Sequence, residues 1–508
     1  MSEPIPPLSN SRKVVVIGAG PVGCLAAIAF AKMNWQVEIY EARPDLRLSS
    51  SKAAAQQRSI NLAISSRGIA ALRAVDASAA ERFLQTVIPM RGRMIHDRHG
   101  NLQSQLYDRN GQCINSIDRA LLNEELLEEA SALPNIRLTF KRKVISADFD
   151  QRVLVLRDAD SGTDVRVNFD LCIGADGSYS TIRRQLMRVV RMNFQQEYIP
   201  HEYIELKMPA GHDEDGKPTF LLDPNHLHIW PRHSFMLIAL PNKDKTFTCT
   251  LFAPTVEFDR LITREDILSW FQNHFPDALS LLGEDKLLKD FENNPRSPLI
   301  TTKLMPYHYK DRCVVLGDAA HSMVPFYGQG LNCGLEDVRV LLTLLQEECV
   351  VPCGPVPNSG DPESDPIDHR LFKALSRYSA SRHEDVVAIC ELAMDNYVEM
   401  RHSVTTPSYI IKNALEHILS SFTSRPTPLS SLGESLSRIA FPTANPRGWL
   451  PLYTMITFRP DISYATAKRK AARQAIILTT IAKLGTAGMC AASFYFTLKV
   501  LRWLRSQR

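Results

Sequence analysis

The 508-residue chain predicts an α/β protein. A Rossmann-like nucleotide-binding domain is split by an inserted antiparallel-sheet domain, then followed by a helical region and an apolar C-terminal helix. Three observations carry this reading. "KVVVIGAGPVGCLAAIAFAKMNWQVEIYE" opens the folded part with strand, tight turn, helix and strand, the pattern of a βαβ unit. Residues 195–255 alternate apolar and polar positions as antiparallel strands do. "CVVLGDAAH" at 313–321 returns to the continuous apolar run of a strand buried on both faces.

The nucleotide-binding domain is expected over 1–190, with further helix signals at 65–85 and 119–132. Its residues 143–177 read as a strand meander ending in a buried strand, "LCIG". The sheet domain is placed at 191–295, where the Pro-Asn pair at 241–242 marks a turn. The first domain resumes over 296–350. A Pro/Gly/Asp/Ser loop at 351–366, within a connector reaching 370, is expected to be mobile. Helices dominate 371–470, interrupted by a Ser/Pro-rich stretch at 421–447, and 474–508 forms a tail.

Three glycine-bearing loops hold the chemistry. Gly18, Gly20 and Gly23 form G-x-G-x-x-G between strand and helix. The first permits the turn, the second lets backbone approach a pyrophosphate, and the third lets helix and strand pack. Glu41 follows at the end of the second strand, where a carboxylate can accept from a ribose. Such a unit takes NAD, NADP or FAD. "GADGSYSTIRRQL" repeats the strand-loop-helix logic around Asp176, although alone it reads as a turn before a helix. "GDAAHSMVPFYGQGLNCGLED", from Gly317 to Asp337, runs into another helix start, where anionic or polar ligands bind. His321 within it reads as a structural hydrogen-bonder and not a catalytic base.

Composition narrows the alternatives. The net charge of +4 sits in the tail, because 468–508 holds nine Lys/Arg and no acid, leaving 50 basic against 55 acidic residues elsewhere. A nucleic-acid binder would spread basic residues over its folded body, so no nucleic-acid partner is expected. The ten cysteines are scattered, and Cys349 and Cys353 have no matching pair for zinc. Reduced thiols facing the cytosol, and no metal, are the expectation. The first twelve residues carry no signal or transit pattern.

Taken together, the three loops resemble the single-component flavoprotein aromatic hydroxylases, which arrange such motifs around one FAD. The resemblance implies a Rossmann-like FAD-binding domain of the aromatic-hydroxylase type. "RSINLAIS", "MRGRMIH", "LHIWPR", "IALPN", "VPFYGQGLNC", "DNYVEM" and "YTMITF" follow in order and resemble the branch that hydroxylates L-kynurenine. The likeness runs from about residue 13 to 470. It implies that Gly18, Gly20, Gly23, Glu41 and Arg43 take the ADP half of FAD, with Asp176 and Arg119 also on the cofactor. Asp318 is then assigned to the ribityl chain. Gly330, Leu331 and Asn332 present a helix N-terminus to the flavin's pyrimidine edge, and Pro325 lies beside the ring. Arg93 and Tyr107 grip the substrate carboxylate, Asn396 and Tyr453 complete that clamp, and Phe326 faces the substrate ring. A guanidinium fork suits a carboxylate better than an ammonium does.

The implied reaction consumes NADPH and O₂ and delivers oxygen through a flavin hydroperoxide, giving 3-hydroxykynurenine in tryptophan breakdown and de novo NAD synthesis. No protein acid or base is implied. There is no second G-x-G-x-x-G, so NADPH lacks a dedicated Rossmann domain. Tyr327 stands where relatives carry His or Phe, leaving that wall of the pocket open. Two alternatives remain at this point: a related salicylate-type aromatic-acid hydroxylase, and a membrane-bound flavoprotein that carries electrons or scaffolds.

Ile476–Leu498, "IILTTIAKLGTAGMCAASFYFTL", is apolar over 23 residues apart from Lys483 and a few hydroxyls. A span needs ~20 residues, and basic residues flank both ends. This reads as a C-terminal membrane anchor, with a buried or interfacial helix as the alternative. The resemblance implies the mitochondrial outer membrane, with the body facing the cytosol.

Overall fold

The computed structural model describes residues 11–50, 61–108, 111–353, 367–401, 406–423 and 446–481, and positions 483, 495 and 499. The loop at 351–366 and the stretch at 421–447 fall almost wholly outside the described residues, as does most of Ile476–Leu498.

Strand Lys13–Ile17 sits at the centre of a six-stranded sheet because both its faces are apolar. It pairs in parallel with Gln36–Tyr40 on one side and Leu171–Gly174 on the other. Ile136–Thr139 extends one edge in parallel. On the other side, Cys313–Val315 pairs with Leu171–Gly174 in parallel, register Ile173 to Val314. A chain segment some 140 residues later thus completes the nucleotide-binding sheet. Helix Pro21–Lys32 packs against it with ten of twelve residues buried. Helix Gly330–Glu347 buries fourteen of eighteen. The meander appears as Arg142–Asp148, Val153–Asp158 and Asp164–Asn168, all antiparallel.

The second sheet has seven strands and reaches outside 191–295 for three of them. Asn193–Met208 pairs with Phe247–Pro254 on one edge and Ser297–Met305 on the other. At the far side, His226–Arg232 pairs in parallel with Gly92–His96, which forms a hairpin with Leu102–Leu106. The boundary at 191 therefore misses strands that come from the N-terminal part. Their apolar pattern marks them as strands, but no local signal says which sheet they join. The pairing carries Arg93 from the first domain into the second.

The single helix signal at 65–85 resolves into Ser66–Val75 and Ala77–Leu84. Asp76 is extended between them and accepts from the amide of Ala79, which starts the second helix. The C-terminal region is led by the 33-residue helix His369–Arg401, whose inner face packs against both domains. Leu452–Phe458 and residues 464–481 follow as helices. All nine described cysteines are free thiols. Among the described residues, no helix is long and apolar enough to cross a membrane.

Candidate active site

The three glycine loops converge on one cavity of about 630 Å³. Gly18, Gly20, Glu41, Arg43, Arg119, Asp176, Asp318 and Pro325 all line it. Each glycine of the first loop is needed for a different reason. Gly18 has φ +102°, and a Cβ there would sit 2.4 Å from the Ala175 carbonyl oxygen. At Gly23 a Cβ would lie 2.0 Å from the Gly18 oxygen, so this residue, which is outside the cavity wall, serves helix–strand packing. At Gly20 a Cβ would meet no protein atom within 4 Å, and it faces the cavity. The space beside Gly20 therefore suits a ligand's pyrophosphate.

Glu41 closes the turn from below. Its carboxylate accepts from the Ala19 amide at 2.9 Å and from the Arg43 amide and Nε, each at 2.9 Å. Burial pushes the carboxyl up, but these bonds and the Arg43 charge outweigh it and hold Glu41 below its ordinary value. Asp176 lies in the second loop, ahead of helix Thr181–Leu186. It lines the cavity, and it accepts from Ser180 Oγ at 2.5 Å and from the amides of Thr181 and Ile182. Arg183 ties the second loop to the third, donating to Ser178 O at 2.6 Å and Ala319 O at 2.8 Å.

In the third loop, Pro325–Tyr327 forms a short 3-10 turn closed by Gly328 in the left-handed region, φ +64°. Helix Gly330–Glu347 starts there, and no side chain caps it. Its first turn thus offers the positive end of a helix dipole. Gly330, Leu331 and Asn332 stand behind the cavity wall. A Cβ on Gly330 would lie 3.8 Å from Met323, which is part of that wall. The Asn332 side chain is fully committed to the fold: it accepts from the Ser65 amide at 2.8 Å and donates to Ala63 O and Gly328 O. Its amide has no donor left for a ligand. His321 Nε2 lies 2.5 Å from Asp337, whose other oxygen takes both Arg382 Nε and Nη2. His321, Cys333 and Asp337 have ligand atoms within 4.8 Å of one another. The Arg382 guanidinium already supplies the cation there, so this is a hydrogen-bond hub.

Beyond Pro325 lies a cluster of aromatic side chains around a buried arginine. Tyr107 and Tyr453 stack with centroids 4.8 Å apart, and Tyr327 lies 5.8 Å from Tyr453 on a near-parallel plane. The buried Arg93 guanidinium sits 5.1 Å from the Tyr453 ring and 5.8 Å from Tyr107, within cation–π range. Burial raises the Tyr107 phenol well above its ordinary value and Tyr453 also rises, with Arg93 opposing both. Both hydroxyls stay protonated and can donate to an anion. Asn396 donates to the Phe326 carbonyl at 2.7 Å and contacts Met400 Sδ at 3.2 Å. It thereby fixes the loop that carries Phe326. Phe326 stacks on Tyr397 at 3.8 Å and meets Phe252 edge-on at 4.9 Å.

Residues 11–349 match the FAD binding domain family. The kynurenine 3-monooxygenase of Cryptococcus neoformans is 44% identical to this chain, over 98% of this chain and 99% of that one. The chain belongs to the kynurenine 3-monooxygenase family. Family members in Yarrowia lipolytica and Saccharomyces cerevisiae are 43% and 40% identical, covering 95% and 98% of this chain and 97% and 100% of theirs. Among solved structures, 2-methyl-3-hydroxypyridine-5-carboxylic acid oxygenase shares the fold at TM-score 0.58 and 19% identity, over 79% of this chain and 96% of that one. The motif resemblance and its FAD-binding fold thus hold.

Two neighbours of Arg93 and Phe326 escaped the sequence reading. Glu399, one helical turn beyond Asn396, lies 3.6 Å from Arg93 Nη1. Tyr397 supplies the ring under Phe326. Both are in the "DNYVEM" segment, so helical spacing from Asn396 was the available signal.

Proposed function

We propose that this protein hydroxylates L-kynurenine to 3-hydroxykynurenine, with FAD in the glycine-loop cavity and NADPH and O₂ as co-substrates. One observation carries the reading: the turn whose Pro325 lines the cofactor cavity also enters an aromatic cluster around a buried arginine, which we take as the substrate chamber. A planar aromatic amino acid fits such a chamber, ring between aromatic walls and carboxylate on Arg93. A salicylate-type acid has its carboxylate on the ring itself and carries no amino-acid end for Arg93 to hold.

Bound FAD supplies the redox and oxygen chemistry. The protein's own part is to bind, orient and exclude water. Arg93 and the protonated Tyr107 and Tyr453 hydroxyls fix the amino-acid end. Asn396 holds the Phe326 carbonyl, and with it the wall against which the reacting ring lies. The uncapped start of helix Gly330–Glu347 favours negative charge on its side of the cavity. The stacked rings keep the chamber dry.

The tail reading joins this proposal: 476–498 anchors the protein to a bilayer, the mitochondrial outer membrane, with the enzyme body facing the cytosol. It is supported by Ile476, Ile477 and Ile481, which point outward with 66%, 48% and 59% exposure. Their exposure suits lipid contact and suits water poorly.

The test is NADPH oxidation by the FAD-loaded protein with and without L-kynurenine, with product identified chromatographically. Stimulated oxidation coupled to 3-hydroxykynurenine in equal amount is expected. Oxidation without a hydroxylated product, or turnover of salicylate in preference, refutes the assignment.

A further inference from the structure

Arg67 is among the largest fully buried side chains, 1% exposed, yet it touches neither cavity wall nor chamber. Its guanidinium spends its donors on distant chain segments. Nη1 pairs with Glu336 at 2.7 Å, in the helix that starts at Gly330. Nε donates to Ile456 O at 3.2 Å, and Nη2 to Ile462 O at 2.8 Å, with Arg459 O at 3.3 Å and Met455 O at 3.5 Å. The Tyr464 ring lies 4.1 Å beneath the guanidinium, and its hydroxyl donates to Gln329 at 3.1 Å.

These acceptors have a common origin. Met455 and Ile456 belong to the last turn of helix Leu452–Phe458, where carbonyls lack intrahelical donors. Arg67 is therefore the C-terminal cap of the helix whose second residue is Tyr453. A cation at that end is favoured by the helix dipole as well. Glu336 neutralises it from the opposite side, and Gln329 lies immediately before Gly330. One planar fork thus fixes the Tyr453 helix against the helix behind the flavin-side turn.

We propose that Arg67 is a positioning residue for the substrate pocket, acting on substrate affinity through Tyr453. The inference rests on the kynurenine reading above. Tyr453 stacks on Tyr107 and faces Arg93, so a shift of its short helix moves a wall of the chamber. The FAD cavity has no contact with Arg67 and keeps its lining. A residue that merely stabilises the fold would lower the melting temperature without changing substrate affinity.

The experiment uses full-length holoenzyme carrying Arg67→Lys, Tyr453→Phe, or both. L-kynurenine Kd is read from flavin absorbance, alongside KM, kcat and FAD content. Lysine keeps the charge but cannot span the carbonyls. Expected is a rise of about tenfold or more in Kd and KM with stoichiometric FAD. In the Tyr453→Phe background the same change should add less than about twofold, since coupled residues are not additive. Unchanged Kd, or fully additive losses, overturns the proposal. Should Arg67→Lys fail to fold, Tyr464→Leu leaves the Arg67–Glu336 pair in place and should weaken kynurenine binding with FAD retained; unchanged affinity there overturns it too. Wild-type protein inert toward kynurenine defeats the functional reading and this inference with it. An active wild type with unaffected variants defeats the inference alone.

Discussion

Replacing Arg93 by lysine isolates the carboxylate clamp. The guanidinium is 8% exposed and lies beside the stacked Tyr453 and Tyr107 rings, 5.1 and 5.8 Å from their centroids. Lysine keeps the charge and loses the two-pronged geometry. A hydrogen bond to a charged group contributes about 1.5–3 kcal/mol, equivalent to roughly 10- to 140-fold in Kd. Glu399, 3.6 Å from Nη1, remains to pair with the ammonium, so the variant should fold. Arg93 is outside the FAD cavity, so flavin content should match wild type. The assay is titration of flavin absorbance with L-kynurenine, repeated with its decarboxylated analogue. The loss should appear with kynurenine and shrink below about threefold with the analogue, which has no carboxylate to lose. Equal losses with both ligands, or no loss with kynurenine, would falsify the assignment of Arg93.

Three further outcomes are expected. Gly20→Val should give a folded, colourless protein, because the added side chain enters ligand space and meets no protein atom at Cβ; stoichiometric bound FAD on purification rules that out. Glu336 is fully buried among guanidinium groups. Burial pushes its carboxyl up, but Arg67, Arg382 and Arg339 pull it down to about 2, below the ordinary 4.5. A depressed carboxyl contributes stability above its ordinary value and loses it as pH falls through 4.5 toward 2, here roughly 3 kcal/mol. Urea unfolding across pH 7 to 3 should show about 2 kcal/mol of this loss. Glu336→Gln should cost about 3–5 kcal/mol at pH 7, since it leaves buried guanidinium charge uncompensated, and should flatten the acid dependence; an unaltered dependence contradicts the network. Truncation before Ile476 should release the protein from membranes with FAD still bound. The full-length protein should stay on membranes at 1 M salt, where screening acts within ~3 Å; release by salt alone means an interfacial helix.

The sequence by itself determined the features that local backbone geometry dictates. Gly18, Gly20 and Gly23 are legible because strand, turn and helix follow one another within eleven residues of chain, and the turn admits few residue types. The same holds for Asp176 before its helix and for the start of the helix at Gly330. The resemblance of short ordered strings added Arg93, Tyr107, Asn396 and Tyr453, whose chemistry alone was ambiguous.

Tertiary structure decided whatever depends on partners far apart in the chain. Gly92–His96 and His226–Arg232 pair in parallel, and nothing in either strand names the other. Arg67 finds its carbonyl acceptors almost 400 residues away, while its sequence neighbourhood, "SSRG", suggests only a helix start. Asn332 and Asn396 carry amides that could serve a ligand; the structure commits the Asn332 side chain and the Asn396 donor to the chain's own backbone. Local propensity is set by a residue and its neighbours, so it survives in the sequence. A buried polar group must satisfy its hydrogen bonds wherever the fold brings acceptors, and only the packed molecule says which ones those are.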